Sequence, residues 1–94
     1  MHCKAVVFSE HASHRMLTRG ITVDEVLAVI RTGEIIEDYP TDIPFPSFLL
    51  LGGVARALHV VVAADQRTNE CIVVTVYQPD QRRWDVGFRT RRSS

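Results

Sequence analysis

Thr22-Val-Asp-Glu-Val-Leu-Ala-Val-Ile-Arg-Thr-Gly33 reads as a helix with both ends marked. Thr22 and Glu25 stand at capping-box spacing: the threonine hydroxyl takes the N–H three residues on, and the glutamate reaches back to the threonine N–H. Val23, Val26, Leu27 and Ile30 recur at i, i+3, i+4 and i+7, which makes one face apolar. Gly33 closes the helix. A short amphipathic helix of this kind is stable only when its apolar face is buried, so the flanking segments must supply a partner layer.

Toward the N-terminus lies Phe8-Ser-Glu-His-Ala-Ser-His-Arg-Met-Leu-Thr-Arg-Gly-Ile21, a second helix begun by the N-cap Ser9 and stopped by Gly20. Residues four apart stack on a helix, so Ala12 and Met16 form an apolar stripe and His11, Arg15 and Arg19 a polar one beside it. Like charges at this spacing repel by a few tenths of a kcal/mol, a repulsion that a bound anion would relieve. Before this helix, Cys3 to Phe8 has the composition of a short strand.

Toward the C-terminus, Glu34 to Tyr39 is strand-like, and Pro40, Pro44 and Pro46 then require a surface loop. Three apolar segments follow, Ser47 to Gly52, Ala57 to Ala64 and Cys71 to Tyr77, joined by short glycine-bearing or polar connections that favour an antiparallel meander. The order is β-α-α-β-β-β-β. It predicts an α+β domain spanning residues 1–94, with the two N-terminal helices packed on one face of an antiparallel sheet and a flexible basic tail over 89–94.

Of the 94 residues, 46% are apolar and 23% charged, which places the chain among folded globular domains rather than disordered ones. The formal net charge is zero, so no global basic signature points to nucleic acid. The charges are nonetheless segregated. Glu34, Glu37, Asp38 and Asp42 cluster without a base, whereas Arg82, Arg83, Arg89, Arg91 and Arg92 gather near the end. The acidic segment is therefore placed to border the chain's own basic site. Cys3 and Cys71 sit in apolar contexts without metal-ligand spacing and read as reduced thiols of a cytoplasmic protein. No apolar run approaches the roughly 18 residues of a membrane span.

Strand alternation places a second group of polar residues. In Ala57 to Ala64, Leu58, Val60 and Val62 alternate with His59; in Cys71 to Tyr77, Ile72, Val74 and Val76 alternate with Val73, Thr75 and Tyr77. The β-branched set Ile72, Val74 and Val76 is the expected helix-facing side. His59 then lies opposite Thr75 or Tyr77, in a cluster on the face away from the helices.

Together the stripe and the cluster contain the groups for metal-independent cleavage of RNA through its 2′-hydroxyl: a base, an acid, and cations for the charge developing on phosphorus. His11 and His59 are the acid and base candidates, because imidazole titrates near neutral pH. Arg15 and Arg19 match phosphate oxygens with planar donors. Tyr77 positions a nucleotide or donates a proton, Thr75 and Trp84 line the RNA, and Arg89, Arg91 and Arg92 extend the phosphate track. His11 and His14 are three apart, but no third ligand and no zincin spacing accompany them, so neither a metal nor another cofactor is expected.

The blocks Phe8-Ser-x-His11-Ala-x-x-Arg15-Met-x-x-Arg19-Gly-Ile, Gly33-Glu-Ile-Ile-Glu-Asp-Tyr39, Leu58-His-Val-Val-Val, Thr75-Val-Tyr-x-Pro79 and Trp84 resemble the small bacterial proteins grouped as domain of unknown function 4258. The resemblance implies a fold like the RelE-like ribonuclease toxins and a type II toxin-antitoxin setting. The implied partners are RNA and a cognate antitoxin, such as a small zinc-finger protein of the MqsA type. Toxins of this kind that act on the ribosome are strongly basic, and this chain is neutral. Two alternatives follow: a catalytically silent module of the same fold that docks an antitoxin or another protein, and RNA binding without cleavage. An exposed strand edge also makes a homodimer an expectation.

Overall fold

A computed structural model describes residues 1–93. The elements are β1 (Ala5–Phe8), α1 (Glu10–Arg19), α2 (Val23–Thr32), β2 (Glu34–Tyr39), β3 (Ser47–Gly52), β4 (Leu58–Asp65) and β5 (Glu70–Tyr77). They form the expected α+β arrangement, a five-stranded sheet in the order β1-β5-β4-β3-β2. β2 to β5 are antiparallel neighbours, as the meander requires. β1 departs from the expected antiparallel sheet: it pairs in parallel with β5, so the sheet is mixed. The cause is connectivity. The two helices carry the chain from one edge of the sheet to the other, leaving β1 beside the last strand.

Local signals hold the helices in place. Ser9 caps α1 by accepting from the Ala12 N–H (3.0 Å), and its hydroxyl donates to the Val74 carbonyl (3.0 Å), which ties the start of α1 to β5. Gly20 ends α1 with a left-handed φ of 64°, a conformation open to glycine without steric cost. The capping box of Thr22 and Glu25 is formed. Gly33 ends α2 for a different reason: a Cβ there would stand 2.4 Å from the Val29 carbonyl oxygen and 2.9 Å from that of Leu51.

The apolar stripes meet one sheet face. Ala12, Met16, Val26, Val29 and Ile30 of the helices bury against Leu50, Leu58, Val60, Val62, Cys71, Val73 and Val76. The helix-facing set on β5 corrects the simple alternation. The register shifts between Val61 and Val62 so that Val61 pairs with Thr75 and Val62 with Val73, leaving Val74 as an exposed bulge. Cys71 and Val73 therefore join Val76 in the core, and Ile72 and Val74 do not. An extra residue in one strand reverses the parity of everything beyond it.

The cysteines are also corrected: Cys3 and Cys71 are disulfide-bonded, with Cα atoms 5.7 Å apart. The parallel pairing of β1 with β5 brings together two thiols that are 68 residues apart in sequence. Among the described residues no helix is long and apolar enough to cross a membrane.

After β5 the chain folds back as a strap, residues 79–92. Trp84 bridges Arg91, and the backbone bonds Asp85 N–H to Thr90 carbonyl (2.8 Å) and Arg92 N–H to Arg83 carbonyl (2.9 Å) close it. The stretch expected as a loose tail is thus fastened at Arg89, Arg91 and Arg92; its last residue, Ser94, lies outside the described residues.

Candidate nucleic-acid groove

α1, the end of β5 and the strap enclose an open groove with a volume of about 890 Å³. Arg15, Thr18 and Arg19 form the helix wall, Tyr77 and Gln78 the floor, and Asp80, Arg83, Trp84 and Arg91 the strap wall. Burial of Ala12 and Met16 on β5 turns the neighbouring arginine stripe toward this groove. Among the described residues, Arg15, Arg19 and Arg83 have no carboxylate within 4.0 Å. Arg91 pairs with Glu37 (3.3 Å) and lies over the Trp84 ring, 4.6 Å from its centroid. Asp80 is the groove's own carboxylate; hydrogen bonds from the Arg82 backbone lower its pKa and keep it ionised.

Four of the residues expected to bind RNA or act on it therefore converge with Tyr77 on one surface: Arg15, Arg19, Trp84 and Arg91. Arg83 joins them, unexpected, because its place in the groove depends on how the strap folds rather than on any spacing. Trp84 is only 3% exposed, and Arg91 lies over the ring that was expected to line the RNA. Arg89 and Arg92 lie elsewhere. Arg89 pairs with Glu34 (2.8 Å), while Arg92 donates to the Gln81 carbonyl (2.5 Å) and faces Asp85 (3.9 Å). The acidic segment does border its own basic end, through Glu34 and Glu37. Burial raises the Glu37 pKa, but hydrogen bonds from Tyr39 and Arg91 outweigh it and hold the carboxyl below its ordinary value.

The expected cluster of His59, Thr75 and Tyr77 divides in two. His11, one turn before Arg15 on the same stripe, is exposed, and its Nε2 is 3.1 Å from Thr75 Oγ1. His59 pairs with Tyr77 in register, one of the two partners alternation allows, but it is 0% exposed and does not line the groove. Its Nδ1 is 3.1 Å from Tyr77 Oη and its Nε2 is 2.8 Å from the Phe88 carbonyl, with Tyr77 and Trp84 packed edge-on. Direct contact of His59 with a substrate, the expected role, is thereby corrected. The strap covers it, and both ring nitrogens are engaged. Burial depresses the His59 pKa and raises that of Tyr77.

A small α+β fold with an arginine-walled groove at one end of its sheet defines the class. The chain belongs to the family described as Domain of unknown function (DUF4258), whose model matches residues 8–78. That span contains α1, β5 and Tyr77 and stops before the strap. Searches of curated proteins and of solved structures returned no match.

Proposed function

We propose that the groove binds RNA along its phosphate backbone and that the protein cleaves it without metal, as a ribonuclease toxin of the RelE-like kind held in check by an antitoxin. The observation that carries this reading is the convergence of Arg15, Arg19 and Arg83 around Tyr77, none of the three having a carboxylate within 4.0 Å among the described residues. Guanidinium groups on two facing walls of a concave surface, without a close carboxylate among the described residues, suit successive phosphates. With the Trp84 ring covered, recognition runs through phosphate and sugar rather than base stacking. His11 stands exposed at the end of the arginine stripe.

Trp84 is the single tryptophan and its fluorescence reports on the groove. Titration with a single-stranded RNA should change that signal, with an affinity that falls steeply with salt and weakens in Arg15→Ala. Incubation of end-labelled RNA with EDTA present should give fragments ending in a 2′,3′-cyclic phosphate. Binding that ignores salt and the Arg15→Ala change would sink the assignment of the groove. Enclosure of His59 favours a second reading, binding without cleavage, and intact RNA in the same incubation would select it.

A further inference from the structure

We infer that His59 acts on the groove through Tyr77, as a buried proton acceptor behind the phenol that faces the ligand; this rests on the cleavage proposed above. The hydrogen-bond pattern fixes the direction of the proton. The Phe88 carbonyl only accepts, so at 2.8 Å the hydrogen belongs to His59 Nε2. In the neutral ring Nδ1 is then a lone pair, and at 3.1 Å the Tyr77 hydroxyl donates to it.

The surroundings hold the ring in that tautomer. Phe88 has a φ of 60°, a left-handed conformation that is costly for a side chain with a Cβ, and its carbonyl is the one that accepts from Nε2. Tyr77 (ring centroids 5.2 Å apart) and Trp84 (4.4 Å) hold the imidazole from its sides. Burial keeps the ring neutral, with Nδ1 open to a proton, and makes the charged form costly; the Phe88 carbonyl and Glu37 on β2 offset part of that cost, and Arg91 on the strap adds to it. A buried imidazole with a fixed tautomer, one bond away from a groove-lining phenol, is a proton acceptor that water in the groove does not reach directly.

The step balances as follows. The RNA 2′-hydroxyl gives its proton to Tyr77 Oη while Tyr77 gives its own to His59 Nδ1. The electron pair left on the 2′-oxygen forms the bond to phosphorus. The bond from phosphorus to the 5′-oxygen breaks, and that oxygen leaves with the electron pair and takes a proton from water in the open groove. The products are a 2′,3′-cyclic phosphate and a 5′-hydroxyl, with His59 protonated until its proton returns to solvent through Tyr77. Tyr77 never carries a full negative charge, which its burial disfavours. Tyr77 is the catalytic residue here and His59 the positioning residue behind it.

The test is single-turnover cleavage of RNA in EDTA between about pH 5 and 8, with RNA affinity measured alongside from Trp84 fluorescence. Tyr77→Phe removes only the hydroxyl. It should keep Kd within about twofold, slow cleavage by about a hundredfold or more, and lose the acid limb of the pH profile. His59→Gln, which holds both hydrogen bonds but takes no proton, should do the same and keep the fold. Cleavage by Tyr77→Phe at the wild-type rate with the wild-type acid limb overturns the relay and leaves the cleavage reading standing. Binding without cleavage by the wild type overturns both. Should His59→Gln fail to fold, Tyr77→Phe decides alone.

Discussion

Two sets of arginines are told apart only when the chain is folded. Among the described residues, Arg15, Arg19 and Arg83 stand around the groove without a carboxylate within 4.0 Å. Arg89, Arg91 and Arg92 are paired with Glu34, Glu37 and Asp85, and Arg56 with Glu25. A paired arginine has its donors spent on its own chain. An unpaired one, held on a rigid wall, keeps them for a ligand. Arg91 belongs to both groups, since it lines the groove while bound to Glu37 and stacked on Trp84.

The sharpest way to break that comparison is to delete each group. Arg15→Ala with Arg19→Ala should lower RNA cleavage by about a hundredfold or more and reduce the salt slope of binding by about two. Arg89→Ala with Arg92→Ala should change neither beyond about twofold, as read by the same fluorescence titration. Equal losses in both pairs would erase the distinction.

Reduction of Cys3–Cys71 separates scaffold from site. With the cysteines 68 residues apart in sequence, the chain-entropy model assigns the closed loop about 4 kcal/mol, read as the stability difference in urea with and without dithiothreitol. The arginine walls should still bind RNA where the reduced protein remains folded.

The buried histidine sharpens the contrast with His11. Because the folded pKa of His59 is depressed below 6.5, the unfolded chain takes up the extra proton first. Its contribution to stability is present above pH 6.5 and is lost as pH falls below that value. His59→Gln should flatten this part of the stability profile, measured by thermal unfolding across the range.

The smallest effect belongs to the Arg56–Glu25 pair. Arg56 hydrogen bonds hold the Glu25 carboxyl down from 4.5 to about 2. Stability from this pair is present above pH 4.5 and is lost as pH falls from there toward 2. Arg56→Ala should weaken that dependence and leave the part due to the Thr22 hydrogen bonds of the capping box, while also freeing the Gly20 carbonyl that Arg56 binds at 2.7 Å. A stability profile below pH 4.5 unchanged by the substitution would show the pair to be idle.

Much of the scaffold was legible because its signals are local. A capping box, an N-cap serine, a C′ glycine and apolar periods act within one turn or one strand, so Ser9, Gly20, Thr22 and Glu25 do what their spacing requires. Strand alternation also placed His59 opposite Thr75 or Tyr77, and the register takes the second. It failed on β5 over Ile72 to Val74, since a bulge is one residue's departure from regularity and carries no spacing of its own. The groove was half legible: Arg15 and Arg19 share a helix face by geometry alone, whereas Arg83 reaches it through the strap.

The sequence by itself determined the two helices, the order of the strands, the antiparallel meander and the cationic stripe on α1, because each depends on residues within a few positions of one another. Only the tertiary structure decided the parallel place of β1, the joining of Cys3 to Cys71, the covering of His59 by the strap, and which arginines keep their charge unpaired. Those outcomes depend on contacts between segments far apart in the chain, where loop closure and burial select partners that local propensity does not encode.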